Sequence, residues 1–243
     1  MEKFCKKCGK ELVNGKCECC DKEEIRFSKN GIINRPRLKE AAKEKINGNM
    51  WNIWQALLVV MAISSVFGLF DGLIDGARIE IYNDVYYNVV DAIYGFISIP
   101  LTAGVSYYVL NVVRDKSFAI SDLFKFYKER MWTIILLSIL ISIFTALWSI
   151  LFIIPGIIAG LSYSMSTFIF VDGEDTNAMD IIKKSKDMMY GYKWDYFVFQ
   201  LSFIGWALLC LFIFPIIYVL PYYYVAETMY YEELKAIKES WCL

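Results

Sequence analysis

The chain contains no histidine among its 243 residues. This absence excludes serine–histidine and cysteine–histidine nucleophile systems, HExxH zinc hydrolases and proton relays that use histidine. The sequence also lacks a Gly-x4-Gly-Lys-Ser/Thr loop and a Gly-x-Gly-x-x-Gly turn, so nothing in it indicates nucleotide-driven work. The net charge is only −1, which gives no electrostatic reason to expect a nucleic-acid partner. We therefore expect a protein that is not an enzyme.

Charge is missing altogether from residues 131–171. At the usual helical rise, that stretch would form about 60 Å of helix, roughly twice the hydrocarbon thickness of a bilayer. Pro155 and Gly156 interrupt it near the middle, where proline removes a backbone hydrogen bond and glycine turns easily. The pattern predicts a hairpin of two transmembrane helices. Gly160 and Ser164 continue the four-residue spacing of small residues from Gly156, which favours close helix packing in lipid.

The whole chain is rich in apolar residues. It is 57% hydrophobic and 17% aromatic, with a mean hydropathy of +0.41, which is high for a soluble domain with one core. We therefore predict an all-α, polytopic transmembrane bundle in the cell membrane. The six expected spans lie near residues 50–70, 88–113, 131–153, 156–171, 196–214 and 217–237. Pro100, inside the second of these, either kinks that helix or ends a surface helix before it.

The charges between the spans predict the orientation in the membrane. Residues 1–50 carry 13 basic side chains against 8 acidic ones, and the stretch Arg114–Arg130 carries five against three. The segment Asp71–Asp84 carries four acids and only one base, Arg78. Because segments rich in lysine and arginine stay in the cytoplasm, we expect both termini inside the cell and the acidic segment outside.

A local pattern recurs three times along the chain. Trp51, Trp132 and Trp194 each stand among polar residues just before a long apolar run, where tryptophan is expected at the membrane–water interface. Each tryptophan is preceded by an amphipathic segment with lysines beside apolar residues: Leu38–Ile46, Ile120–Tyr127 and Met179–Met189. The repetition predicts three tandem helical hairpins, each led by a short helix on the cytoplasmic surface.

Five of the seven cysteines lie within the first twenty residues. Cys5 and Cys8 form one close pair, and Cys17 forms a second with Cys19 or Cys20. Two such pairs separated by a short hairpin suit tetrahedral zinc, and a cytoplasmic location disfavours the disulfide alternative. We expect a structural zinc held by Cys5, Cys8, Cys17 and Cys20, with Cys20 favoured over Cys19. The other reading is a metal-free or redox-active thiol cluster.

Two parts of the chain resemble known families. The segment Phe4–Leu12 is similar to the opening of short zinc ribbons that head many bacterial membrane proteins. The stretches Ile154–Ile158, Leu161–Met165, Ser185–Lys193 and Pro221–Leu234 resemble, in the same order, a bacterial multi-pass family catalogued as domain of unknown function number 975. That second resemblance covers roughly residues 35–238. It implies a polytopic membrane fold and brings no catalytic residue with it.

These inferences divide the chain into a zinc ribbon at 1–22, a linker with an amphipathic helix at 23–47 and a transmembrane helical domain at 48–243. Two functions remain open. In the first, the protein is a non-catalytic membrane scaffold or regulatory factor whose ribbon binds a cytoplasmic protein partner. In the second, it is a small-solute or ion transporter or channel. Asp91 and Glu227 are then the candidate intramembrane acids, because an ionisable side chain at depth usually has a function. The non-functional alternative is that both acids lie at span edges or form hydrogen bonds with tyrosines.

Overall fold

The computed structural model describes residues 33–76, 83–173, 177–209 and 215–240. These residues form α-helices and a short 3₁₀ helix, Ile120–Phe124, with no β-strand among them. The α-helices are α1 (Arg35–Gly76), α2 (Asn83–Val113), α3 (Lys125–Lys128), α4 (Met131–Leu151), α5 (Ile153–Tyr163), α6 (Ser166–Asp172), α7 (Ala178–Met188), α8 (Lys193–Leu209) and α9 (Ile216–Ser240). The all-α prediction is confirmed for the described part of the chain.

Four helical stretches within the described residues are long and apolar enough to cross a membrane. They are Arg35–Leu69, Ala92–Val113, Met131–Leu151 and Ile153–Asp172, and they coincide with the first four predicted spans. The mean hydropathy reaches 2.6 in the third stretch. Helices α8 and α9, which overlap the last two predicted spans, are not among the four. The structure thus supports membrane association, and the count of six spans stays a prediction.

Large apolar side chains cover the outside of the α4–α5 pair. Ile150, Ile153 and Ile154 are 83%, 77% and 71% exposed. An exposed apolar surface of this kind is rare on a soluble monomer, because its contact with water is unfavourable. Lipid tails are the natural solvent for such a surface, so the exposure agrees with the hydropathy.

Successive long helices pack as antiparallel pairs, as the side-chain contacts between them show. In the α1–α2 pair, the Tyr108 hydroxyl donates to the carbonyl oxygen of Asn52 at 3.0 Å. The hydroxyls of Ser64 and Tyr94 lie 3.1 Å apart. Residues later in α1 therefore contact residues earlier in α2, so the two helices are antiparallel.

The other two pairs follow the same rule. In the α4–α5 pair, the rings of Phe144 and Tyr163 lie 6.3 Å apart, and Ser149 lies against Gly156. In the α8–α9 pair, Tyr196 reaches Glu227, and the rings of Trp206 and Tyr222 lie 6.3 Å apart. The three antiparallel pairs match the three units that recur in the sequence.

The turn between α4 and α5 is a single residue, Phe152, in extended conformation (φ −160°, ψ 147°). It lies three residues before Pro155, which occupies the first turn of α5. The reason is steric, because the ring of Pro155 would clash with the carbonyl of Leu151 if α4 continued. In the first turn of α5 the missing N–H of proline costs nothing, since those N–H groups lack intrahelical partners anyway.

The predicted surface helix Leu38–Ile46 is not a separate element. It forms the start of α1, which continues without a break from Arg35 to Gly76. Pro36 lies in its first turn, where proline is tolerated, and the only later glycine before the apolar run is Gly48, which lowers helix stability by only about 1 kcal/mol. Helix α2 likewise runs through Pro100, so the proline does not end a helix there.

The three predicted interface tryptophans are all on the surface. Trp51, Trp132 and Trp194 are 67%, 71% and 73% exposed, whereas several other large aromatic side chains are fully buried. The largest buried aromatic residues come from five helices, namely Tyr108, Phe126, Phe170, Phe199, Tyr222 and Tyr230. The buried cluster also includes residues of α1, α4 and α7, such as Ile53, Ile134 and Ile181, so the core extends through most of the described helices.

Candidate functional site

A network of ion pairs joins three helices where α2 ends. Arg114, the residue after α2, donates to both carboxylates of the network, and its Nη2 lies 2.6 Å from Glu232 Oε1 in α9. Asp172, the last residue of α6, also accepts from Lys235 at 2.6 Å and from the Tyr231 hydroxyl at 2.9 Å. The two cations and two carboxylates of this network balance each other.

The network keeps Arg114 charged. Burial alone would lower the pKa of its guanidinium, but the hydrogen bonds with Asp172 and Glu232 raise that pKa above its ordinary value. Asp172 is the more enclosed partner, with a side chain only 8% exposed. Removing the arginine would leave this carboxylate poorly compensated, so the network fixes the end of α2 to the ends of α6 and α9.

A second arginine closes the hairpin that the uncharged stretch forms. Arg130 precedes α4 and has φ +54°, a left-handed conformation that glycine adopts far more easily. Its guanidinium donates to the carbonyl oxygens of Gly173 at 2.9 Å and Phe170 at 3.2 Å, and it lies 4.6 Å from the Phe170 ring centre. It thereby caps the carboxyl end of α6. The chain therefore leaves from Arg130 and returns beside it, as the hairpin prediction requires.

Gly104 allows the 3₁₀ helix to lie directly against α2. A Cβ at this position would come 2.0 Å from the carbonyl oxygen of Leu123 and 2.8 Å from its Cα. Leu123 is fully buried, and backbone atoms cannot move aside as a flexible side chain can. The contact holds α3 beside α2, so that the Lys125 ammonium lies 4.2 Å from the ring centre of Tyr107.

These elements enclose a cleft of about 730 Å³, which we call the basic cleft. Its walls come from α2, the loop after it, α3 with the following turn, and the end of α6. The lining residues are Tyr107, Asn111, Arg114, Lys116, Ser117, Lys125, Glu129, Arg130, Val171, Asp172 and Gly173. Four of them are cations and two are carboxylates, so the lining carries two more positive than negative charges.

The candidate acids of the sequence lie elsewhere. Glu227 in α9 is partly buried and accepts a hydrogen bond from the Tyr196 hydroxyl at 2.7 Å. Gln200 donates to the same tyrosine oxygen at 2.6 Å. Asp91 lies within α2, and its side chain is outside the described part of the structure. The hydrogen bond from Tyr196 to Glu227 is a contact that the non-functional alternative also expects. A functional role for either acid stays a prediction.

The small residues of the predicted hairpin stripe differ from one another. A Cβ on Gly156 would come 2.2 Å from Ser149 Oγ and 2.9 Å from Ser149 Cα. Gly160 has no such neighbour, because a Cβ there would meet no atom within 4 Å. The close approach of α4 and α5 therefore depends on Gly156, which follows Pro155 near the turn between the two helices.

The predicted zinc ligands Cys5, Cys8, Cys17 and Cys20 lie outside the described residues. Within the described ranges, no group of three or more cysteine, aspartate or glutamate side chains could hold a metal ion.

Sequence reasoning did not single out the residues of the basic cleft. In the sequence, Arg130 and Asp172 stand out only as the charged residues on either side of the uncharged stretch, and Lys116 and Lys125 only as part of a charge balance. One signal was available. If residues 131–171 form a hairpin, Arg130 and Asp172 must lie at the same end of it, which predicts a charged cluster there.

Comparison with known proteins places this architecture in a family. A family model described as "Protein of unknown function (DUF975)" matches residues 33–159 and 150–238. The matches include every residue of the basic cleft and leave out the predicted ribbon. No curated protein matches the chain, and no solved structure matches it. Because the family model matches well over half of the chain, the protein belongs to the DUF975 family of proteins of unknown function.

Proposed function

We propose that the protein is a non-catalytic scaffold or regulatory factor of the cell membrane. In this proposal six spans keep both termini in the cytoplasm, and a zinc ribbon at residues 1–22 binds a cytoplasmic protein partner. The ribbon holds a structural zinc through Cys5, Cys8, Cys17 and Cys20. The helical domain anchors the ribbon at the membrane surface.

The main support is the meeting of helix ends at one end of the bundle. Arg35 at the start of α1 lies 3.3 Å from Asp195 at the start of α8, and Tyr230 of α9 donates to the same aspartate at 3.1 Å. Lys238 near the end of α9 donates to the carbonyl oxygen of Tyr190 at 3.0 Å. The ion-pair network joins the ends of α2 and α6 to α9. The start of α1 therefore lies at the charged end of the bundle.

The charge pattern supports a cytoplasmic position for this end. Basic residues outnumber acidic ones in residues 1–50, within which α1 begins, and in Arg114–Arg130, which follows α2. Segments rich in such residues are retained on the cytoplasmic side. Helix α7 adds an amphipathic surface. Its Ile181 and Ile182 are buried, whereas Lys183 and Lys186 are exposed. A polar surface beside an anchored ribbon suits binding of a soluble partner.

Cross-linking in native membranes tests the partner. A Cys5→Ser/Cys8→Ser variant should lose a cross-linked protein that the wild type captures, because removing two ligands abolishes tetrahedral zinc binding. The matched control is Cys210→Ser, which removes a thiol that lies far from the ribbon in sequence. Equal capture by all three proteins would contradict a partner-binding ribbon.

A truncation separates the ribbon from the fold. Deletion of residues 1–32 keeps buried Ile33 and keeps Asn34, whose side chain accepts from the Arg37 amide at 3.2 Å at the start of α1. We expect the truncated protein to insert and to unfold at the same temperature, and to lose the partner. Retention of every partner by the truncated protein would refute the scaffold role.

The transporter or channel alternative rests on the α8–α9 pair. Glu227, Tyr196 and Gln200 form a connected polar cluster between these helices. In that alternative Glu227→Gln abolishes the cellular function, as would Asp91→Asn if that acid lies on the path, whereas the truncation has no effect. Solute flux into proteoliposomes that depends on Glu227 would replace the scaffold proposal.

A further inference from the structure

We infer that the basic cleft binds a phosphate group, carried either by an anionic lipid or by a soluble phosphate compound. This inference goes beyond the scaffold proposal, because it concerns the helical domain and needs neither the ribbon nor its partner. It rests on the charge, the donors and the location of the cleft.

The charge of the cleft remains positive after internal pairing. Arg114 and Asp172 are neutralised within the ion-pair network. Arg130 is engaged with the carbonyl oxygens of Gly173 and Phe170, so the charged residues left to face a ligand are Lys116 and Lys125 against Glu129. Lys125 lies 3.9 Å from Glu129, whose side chain is 59% exposed, and a loose pair of this kind contributes little. An excess of positive charge therefore faces the cleft.

Lys116 is the cation best suited to bind a ligand. It lies in the loop after α2, where its backbone amide donates to Asn111 at 3.0 Å. Its side chain is exposed and has no ion-pair partner among the described residues. The ammonium group can thus turn to an anion without breaking an internal contact.

Neutral donors complete the site. Asn111 is buried and lines the cleft with Tyr107, whose ring centre lies 4.2 Å from the Lys125 ammonium. Ser117 contributes a further hydroxyl to the wall. The oxygens of a phosphate group accept several hydrogen bonds at once. Hydrogen bonds from lysine and arginine are charge-assisted and therefore stronger than those from neutral donors. The volume of about 730 Å³ lies within the usual range for ligand sites.

The location of the cleft favours phosphate over other anions. The candidate spans Ala92–Val113 and Ile153–Asp172 both end at the cleft. Trp132, which is exposed at the start of α4, marks the adjacent membrane–water interface. Lipid phosphates lie at this level of a bilayer, and basic residues there are attracted to anionic headgroups. The same donors would also hold the phosphate of a soluble compound arriving from the water side.

Binding measurements on the full-length protein in a neutral detergent test the inference. The probes are inorganic phosphate, short-chain phosphatidylglycerol and short-chain phosphatidylcholine, titrated at constant ionic strength. The test variants are Lys116→Gln and Lys116→Gln/Lys125→Gln. The matched control is Lys128→Gln/Lys183→Gln, which removes the same charge from two exposed lysines outside the cleft. Unfolding temperatures show whether each variant folds.

We expect Lys116→Gln to weaken binding about tenfold and the double variant more strongly, with the control within twofold of wild type. Saturable binding of inorganic phosphate supports a soluble source. Binding of phosphatidylglycerol without binding of inorganic phosphate or phosphatidylcholine supports a lipid source. The inference is overturned if the wild type binds none of the probes. It is also overturned if the control loses as much affinity as the folded cleft variants, since general surface charge would then explain the binding.

Discussion

Substituting Gly156 by alanine should destabilise the protein, whereas the same substitution at Gly160 should stabilise it. Both glycines lie on α5, four residues apart. The added Cβ at position 156 would come 2.2 Å from Ser149 Oγ and 2.9 Å from Ser149 Cα. The hydroxyl can rotate away, but the Cα belongs to the backbone of α4, so the two helices must move apart.

The expected magnitudes follow from general substitution data. Forcing an extra carbon into a packed contact costs about 1–3 kcal/mol. Alanine gains roughly 0.5–1 kcal/mol over glycine in a helix, and Gly160→Ala gains this without a clash. The two variants should therefore differ by about 2 kcal/mol in the free energy of unfolding, which is roughly thirtyfold in the unfolding equilibrium.

Denaturation by sodium dodecyl sulfate in mixed micelles, followed by circular dichroism, measures this difference. Ser149→Gly should partly restore stability to the Gly156→Ala protein, because it removes two of the three close atoms and leaves the Cα. If Gly156→Ala is as stable as Gly160→Ala, the close approach of α4 and α5 at Ser149 is wrong.

Two further predictions concern the ion pairs and the ribbon. Arg114→Ala should lower the free energy of unfolding by about 3 kcal/mol, because it leaves enclosed carboxylates undercompensated. Lys45→Ala should cost less than about 1 kcal/mol, because its partner Asp115 is 65% exposed; equal losses in the same denaturation assay would contradict the central role of the network. Full-length protein purified under reducing conditions should contain one zinc per chain by elemental analysis. Cys20→Ser should lose this zinc and Cys19→Ser should keep it, and the reverse result would change the fourth ligand.

The sequence predicted those features that depend on local composition. A helix that crosses a lipid bilayer needs a long run of uncharged residues. The hydropathy of the sequence therefore predicts the positions of the first four spans. The position of the hairpin turn was approximate for a steric reason. In a continuous helix the ring of Pro155 would clash with the carbonyl of Leu151, and the break therefore falls at Phe152 rather than at Pro155 and Gly156.

Contacts between distant parts of the chain left no comparable local signal. Arg114 and Glu232 are separated by 118 positions, and neither stands in a recognisable motif. The amphipathic pattern of Leu38–Ile46 predicts a surface helix, but amphipathicity does not determine where a helix ends. Since no proline or turn intervenes before the apolar run, the helix continues into it.

Labelling of single cysteines on intact cells tests the central claim most directly, namely that the chain crosses the membrane with its basic segments in the cytoplasm. In a cysteine-free background, Glu80→Cys lies in the acidic segment that we expect outside, and Lys128→Cys is an exposed residue of α3. A membrane-impermeant maleimide should label position 80 in intact cells and position 128 only after the cells are broken. Labelling of position 128 in intact cells, or equal labelling of both positions, would contradict the proposed orientation.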